Sequence, residues 1–191
     1  MQRLGLFGGA FNPVHLGHLL VAQAAIEELG LDRLFFIPAA LSPFKQESPP
    51  APAELRLRWL RLALPGRTNC AVDDQEIRRG GVSYTIETVR HYVAKFPGAK
   101  LYCLIGADNV SALNKWHEAE ELAKLVEFAV VPRPGQTLPE FPRPFHGSAL
   151  KGFPVEISSS DIRARVKAGL PIDSLVPPFV AAAIHDAAVY L

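Results

Sequence analysis

The stretch Gly8-Gly9-Ala10-Phe11-Asn12-Pro13-Val14-His15-Leu16-Gly17-His18 constrains the fold of this chain more than any other. Before it, Leu4-Gly5-Leu6-Phe7 is a short apolar run of the kind that forms a buried strand. After it, residues 19 to 29 carry apolar side chains at 19, 22, 26 and 29, the spacing of one helix face. The stretch is therefore a strand, a glycine turn and a helix. Adjacent Gly8 and Gly9 let the backbone approach a ligand closely and reach conformations barred to other residues, and Asn12-Pro13 reads as a turn. The new helix offers unpaired N–H groups and the positive end of its dipole, which suit phosphate. His15 and His18 stand three residues apart, so at about 100° per residue they project from nearly one side of the first turn. The bland alternative is a solvated or core-satisfied histidine beside an ordinary turn; the spacing directly after a strand favours the phosphate reading.

A chain of 191 residues suits a single domain over 1–191 with a sizeable core, its C-terminal helical part starting near 158. With 20 basic and 19 acidic residues the net charge is +1, which argues against a nucleic-acid partner. Cys70 and Cys103 each lie in an apolar strand-like run without CxxC spacing, so reduced core thiols and a cytoplasmic location are expected. No apolar segment reaches the length of a membrane span, and Gly8-Gly9 and Asn12-Pro13 interrupt the N-terminus where a signal-peptide core would run. A soluble protein with no membrane partner is expected, and assembly into a homo-oligomer is left open.

Gly30 closes the first helix, and Arg33-Leu34-Phe35-Phe36-Ile37 forms a second strand ending at Pro38. From Ala39 to Pro52, prolines at 43, 49, 50 and 52 impose an exposed loop on the ligand side, where Lys45 is a candidate phosphate contact. Residues 54 to 64 read as a helix with Leu55, Trp59 and Leu62 on one face, and with Arg56, Arg58 and Arg61 mostly solvated. A third strand at 70–72 precedes a helix opened by Ser83-Tyr84-Thr85, with Ser83 or Thr85 as N-cap. Leu101-Tyr102-Cys103-Leu104-Ile105 is a fourth strand, apolar enough to be covered on both faces. Gly106 after it permits close approach, and Asp108 either bonds a ribose or caps the next short helix. Trp116 is either core or a stacking platform.

Residues 128–131 make the fifth strand, ending in Pro132-Arg133-Pro134-Gly135, and residues 134–154 read as an irregular excursion. A short strand at 155–157 leads into Ser158-Ser159-Ser160-Asp161-Ile162-Arg163, whose hydroxyls, N–H groups and Arg163 make a second anion site at a helix start. Gly169 ends that helix, and a last packing helix begins at Pro177. About five strands alternating with helices imply an α/β, Rossmann-like, doubly wound parallel sheet with a C-terminal helical segment. Such a sheet can bring two phosphate-binding helix starts together over its carboxyl edge.

The first stretch resembles the G-x-F-x-P-x-H-x-G-H signature of the nucleotidyltransferase superfamily, in which the two histidines contact ATP phosphates. Its His-Leu-Gly-His also resembles the HIGH box of class I aminoacyl-tRNA synthetases, but this chain has no room for a tRNA-binding domain. Along nearly its whole length the chain is similar to bacterial nicotinate-nucleotide adenylyltransferases. The ordered landmarks are Gly8 to Leu19, Lys45, Ser83-Tyr84-Thr85, Ile105 to Asp108, Trp116, Arg133-Pro134-Gly135 and Ile157 to Arg163. The resemblance implies transfer of AMP from ATP to nicotinate mononucleotide, with magnesium held mainly by the ATP phosphates. It places His15, His18 and Arg163 in the catalytic role. Gly8, Gly9, Ala10, Phe11, Gly106, Asp108, Ser158, Ser159 and Ser160 fall to ATP, and Lys45, Ser83, Tyr84, Thr85, Trp116 and Arg133 to the acceptor.

Where the family usually has Gly-Gly-Thr-Phe-Asp-Pro, this chain has Ala10 and Asn12, losing a hydroxyl and a carboxylate beside the phosphates. Ser42-Pro43-Phe44-Lys45 stands for the usual Pro-Pro-His-Lys, and Ala182-Ala183 lack a tyrosine often found near the C-terminus. The competing expectations are phosphopantetheine adenylyl transfer on the same ATP half-site and an inactive nucleotide sensor. A phosphate monoester with a second pKa near ~6 is mostly dianionic at neutral pH, so the reaction asks for positioning and charge stabilisation and needs no general base.

Overall fold

The computed structural model of the chain describes residues 1–43, 50–131, 135 and 140–190. Strands and helices alternate: β1 (Arg3–Gly9), α1 (Leu16–Leu29), β2 (Arg33–Pro38), α2 (Ala53–Ala63), β3 (Cys70–Val72), α3 (Gln75–Arg79), α4 (Thr85–Lys95) and β4 (Lys100–Ile105). A 3₁₀ segment (Ala107–Lys115), α5 (Ala119–Leu125), β5 (Glu127–Val130), β6 (Gly147–Ala149), α6 (Ser159–Lys167) and α7 (Pro178–Asp186) complete the described order. The strands pair in parallel in the order β3-β2-β1-β4-β5-β6, a doubly wound Rossmann-like sheet.

Both faces of this sheet are covered, and the strand period of two divides the apolar side chains between them. Leu34, Phe36, Tyr102, Leu104 and Ala129 point to one core, shared with α1, α2, α6 and α7. Leu4, Leu6, Phe35, Ile37, Cys103 and Phe128 point to the other, shared with α4 and α5. Fully burying one such Leu, Ile or Phe side chain is worth about 1.5–3 kcal/mol, so register is firmly fixed in the central strands. Helix α1 ends at Gly30 in the left-handed conformation (φ 59°), whose N–H donates to the Ile26 carbonyl. Cys70 and Cys103 are free thiols, and burial pushes Cys103 up to about 12. Among the described residues no helix is long and apolar enough to cross a membrane.

The sheet has six strands where the sequence suggests about five. The sixth is not Val155-Glu156-Ile157 but Gly147-Ser148-Ala149, inside the segment that reads as irregular, and it pairs with β5 from Phe128↔Gly147 to Val130↔Ala149. Its residues are exposed and carry no strand pattern. Gly147 is needed there because a side chain would begin 2.4 Å from the Phe141 ring and 2.6 Å from the Phe128 carbonyl. The helix cap also differs from expectation. Tyr84, neither Ser83 nor Thr85, is the N-cap of α4, because the Ser83 hydroxyl is engaged elsewhere.

Beneath β3, the Asp73 carboxylate accepts from the buried Tyr92 hydroxyl (2.6 Å), the Gln75 N–H (3.0 Å) and the Gln75 amide (2.8 Å). Burial would raise this carboxyl, but those bonds and the Lys95 charge outweigh it and hold it below its ordinary value. The folded state holds the lower pKa, so this stabilisation is present above the unfolded pKa of about 3.9 and is lost as pH falls through the folded value. Tyr92→Phe is expected to cost about 1–2 kcal/mol at neutral pH and to flatten the acid limb of stability, read by urea denaturation from pH 7 to 3. An unchanged acid limb would show that the Asp73 cluster does not couple to folding.

Candidate active site

A cavity of about 540 Å³ opens where the carboxyl ends of β1 and β4 lie side by side. Chain connections leave β1 toward opposite edges of the sheet on the two sides of this point, the position at which open α/β sheets bind ligands. Gly8 and Gly9 at the end of β1 and Ala10 just after it form one wall of the cavity, with Ile105 at the end of β4 and Gly106 just after it beside them. Ala39, Ser42 and Pro43 form the wall after β2, while Ser83, Tyr84 and Thr85 line it from the start of α4. Lys115, Trp116 and His117 complete it. Nothing stands within 4 Å of where a Gly8 side chain would begin, so the backbone there is open to close approach. Neither Gly8 nor Gly9 has positive φ; the left-handed residue of this turn is Phe11 (φ 46°), at a cost of order 1–3 kcal/mol.

His15, His18 and Arg163 do not line this cavity; His18 contacts its lining residue Phe7 and also Phe11, His15 lies against His18, and Arg163 is bonded to the turn at Asn12. The two imidazoles stack with centroids 3.7 Å apart, and the Phe11 ring lies 5.0 Å from His18. A side chain on Gly17 would begin 3.0 Å from His15 Nδ1, so a glycine is what lets the His15 ring lie over the helix start. The His15 backbone N–H donates to His18 Nδ1 (3.2 Å), which leaves the Nε2–H of neutral His18 as its outward donor. Burial, then the His15 charge, lowers the His18 pKa well below its ordinary value. The start of α1 is less open than the sequence suggests, because the Leu16 N–H donates to the Leu175 carbonyl (3.0 Å).

At the start of α6 the three serines differ in role. Ser158 is the N-cap, accepting from the Asp161 N–H (3.1 Å) and donating to its carboxylate (2.6 Å). Ser159 donates to the Pro13 carbonyl (2.9 Å), and Ser160 accepts from Arg163 (3.2 Å). Arg163 also donates to the Asn12 carbonyl (2.9 Å). The expected anion site thus has its hydroxyls engaged within the protein, tying α6 to the glycine turn. Asn12 Oδ1 accepts from the Ala51 N–H (3.0 Å) and from the Tyr190 hydroxyl. An amide oxygen serves both bonds, so Asn12 supplies the acceptor that Ala51 and Tyr190 share.

Opposite the glycine turn, Ser83 Oγ accepts from the Ala40 N–H (2.9 Å) and bonds to the buried Glu76 carboxylate, which also accepts from Thr88 (2.6 Å). Burial raises the Glu76 pKa. Tyr84 provides no side-chain cap to the first turn of α4. Tyr84 stacks on His117 (4.4 Å), and Trp116 stands edge-on to Phe128 (6.1 Å). Gly106, not Asp108, is the N-cap of the 3₁₀ segment; Asp108 is exposed in its first turn, and Asn109 reaches the cavity instead. Lys45 and Arg133 lie outside the described residues.

Arg56 overturns the expectation of a solvated arginine, being 1% exposed. Its Nη1 donates to the Ala10 (2.9 Å) and Ala39 (2.8 Å) carbonyls, and its Nε to Ala51 (2.9 Å). The signal was its spacing: Arg56 shares the buried helical face of Trp59, Leu60 and Ala63. Asn109, His117 and Glu76 were missed because single polar residues carry no periodic signal.

The Cytidylyltransferase-like family pattern matches residues 6–165, so the glycine turn and nearly the whole sheet belong to a nucleotidyltransferase class. Relatives narrow it. The protein named "Probable nicotinate-nucleotide adenylyltransferase" in Rhodopirellula baltica is 38% identical over 198 residues, covering 98% of this chain and 92% of its own. The protein of the same name in Geobacillus kaustophilus is 41% identical over 190 residues, covering 100% of this chain and 87% of its own. The chain belongs to the nicotinate-nucleotide adenylyltransferase family. Its fold is also that of Plasmodium falciparum nicotinic acid mononucleotide adenylyltransferase complexed with NaAD, with TM-score 0.79 and 15% identity over 100% of this chain and 98% of that one.

His18 is expected to show the Nε2–H tautomer in ¹⁵N spectra and to titrate below the ordinary value of about 6.5. Because its folded-state pKa is the lower one, the site is fully compatible with folding above that pH and loses stability as pH falls. A midpoint at or above 6.5 would contradict the half-buried, backbone-bonded geometry.

Proposed function

We propose that the cavity and the adjoining histidine–arginine cluster hold ATP and nicotinate mononucleotide together, the chain transferring AMP from the first to the second. The products are deamido-NAD and pyrophosphate. The observation that carries this reading is that two ends suited to anions, the glycine turn and the uncapped first turn of α4, line one cavity. The triphosphate lies over Gly8, Gly9, Ala10 and Phe11, with His15, His18 and Arg163 on its phosphates. The start of α6, at Ser158, Ser159 and Ser160, closes that side, and Gly106 and Asp108 stand by the nucleoside. Ser83, Tyr84, Thr85 and Trp116 take the nicotinate, and Lys45 and Arg133, which lie outside the described residues, are assigned to the acceptor.

The acceptor's 5′-phosphate attacks the α-phosphorus in line; a new P–O bond forms, the α–β bridging P–O bond breaks, and its electron pair leaves with pyrophosphate. The nucleophile is already a dianion, so the protein contributes alignment and donors rather than a base. Among the described residues no group of three or more His, Cys, Asp or Glu is gathered in one place. Magnesium, in this reading, travels on the triphosphate and water.

Purified protein with ATP, magnesium and each of nicotinate mononucleotide, its amide and phosphopantetheine, assayed for pyrophosphate, tests the reading. A carboxylate accepts from the Thr85 and Ile86 N–H groups and the Thr85 hydroxyl, whereas the amide turns a donor toward donors. An unsatisfied buried donor costs about 1–3 kcal/mol, so kcat/KM is expected to favour the acid by at least about tenfold. Equal values for both mononucleotides would remove the ring from the start of α4. His18→Ala is expected to lower kcat by about 10²–10³ while leaving the fold intact, since it deletes one oriented donor. Near wild-type turnover in the folded variant would remove His18 from the reaction.

A further inference from the structure

Arg56 is buried among carbonyls with no carboxylate facing it among the described residues. Taking a guanidinium out of water without an anion is expensive, and an apolar side chain would fill the same face of α2 next to Trp59 and Leu60. What the charge secures is visible in its partners. Ala10 and Ala39 belong to two different walls of the cavity, and a single nitrogen, Nη1, holds both carbonyls.

A trans peptide unit is planar, so a carbonyl and the N–H of the next residue point in opposite directions. Bonding the Ala10 carbonyl to Arg56 therefore turns the Phe11 N–H away from the guanidinium. The Ala39 N–H holds the Gly9 carbonyl (2.9 Å), Arg163 holds that of Asn12 (2.9 Å) and Ser159 that of Pro13 (2.9 Å). Four carbonyls of the turn are thus committed to protein donors. Phe11 sits in this run with positive φ, a conformation that persists only where its surroundings over-determine it. A peptide flip at Ala10 would exchange an N–H for a carbonyl oxygen on the turn that receives an anion.

We propose that Arg56 is a positioning residue for adenylyl transfer, locking the Ala10–Phe11 and Ala39–Ala40 peptides so that the donors of the turn and the spacing of the two walls are fixed. It touches no substrate. The inference rests on the reading that the triphosphate lies over the glycine turn.

The test uses full-length wild type, Arg56→Met and Arg56→Lys, each read by kcat, both KM values, melting temperature and amide hydrogen exchange. Loss of an oriented donor set predicts a fall in kcat of about 10² for Arg56→Met, with the KM for nicotinate mononucleotide within about threefold. Arg56→Lys keeps the charge but cannot fork to three carbonyls, so it should recover only about tenfold of that loss. Exchange is expected to quicken at residues 8–12 and 39–40 in both variants while α4 stays protected. A folded Arg56→Met with kcat within about threefold of wild type, or unchanged exchange at those residues in Arg56→Lys, overturns the proposal. Exchange does not depend on turnover, so a wild type inactive toward nicotinate mononucleotide would defeat the functional reading separately and leave the positioning of the turn decided by exchange.

Discussion

The direction of the peptide units between Gly9 and Pro13 is the constraint on which the cleft depends. Left alone, a short turn can rotate a peptide plane at little cost and present either a donor or an acceptor to its ligand. Here the Ala39 N–H, Arg56, Arg163 and Ser159 bind the carbonyls of Gly9, Ala10, Asn12 and Pro13, and the donors come from the residue after β2, from α2 and from α6. Order then propagates outward. The Phe11 ring lies against His18, His18 lies against His15, and His15 lies over Gly17, which is backed by the Ile157 carbonyl.

That arrangement needs the two faces of the sheet to do different things. Phe11 and Val14 of the turn share a core with Ile162, Val166, Ile172 and Val176, so the C-terminal helices pack into the same cluster that supports the turn. The opposite core holds α4 through Ile86 and Val89 against Leu4 and Leu6. The glycine turn is thus supported from one face and the first turn of α4 from the other. The cavity lies between them because β1 and β4 are neighbours at the point where the winding reverses.

The sequence carried the central sheet clearly, since β2 and β4 are apolar runs bounded by turn residues. It carried the order of the site residues for the same reason: they follow strand ends. What it hid were contacts that no local pattern encodes. Gly147-Ser148-Ala149 is a strand only because β5 has an open edge beside it. The Ser83 hydroxyl looked like a cap and is instead bound between the Ala40 N–H and Glu76. Tyr190 meets Asn12 across 178 positions, and Arg56 meets Ala10 across 46, so both required the folded chain to be seen. Arg56 was nevertheless recoverable in principle, because a charged residue on the same helical face as Trp59, Leu60 and Ala63 has to find partners within the core.

A near-neutral chain that handles anions raises the question of where its positive potential resides. His18 does not supply it as a charge, because burial and His15 both oppose protonation. Protonation would also put a proton on Nδ1, the atom that accepts from the His15 N–H, and so would break the bond that aims the ring. A cationic His18 would gain attraction for phosphate at the expense of direction. The structure favours direction: a neutral imidazole with one defined donor, oriented peptide N–H groups, and guanidinium groups bound to carbonyls rather than to carboxylates. Arg56 is bound by three carbonyls, with no carboxylate facing it among the described residues. In the proposed reading the triphosphate meets mostly fixed dipoles and the buried guanidinium of Arg56, which need little reorganisation as charge moves from the α-phosphate to the leaving pyrophosphate.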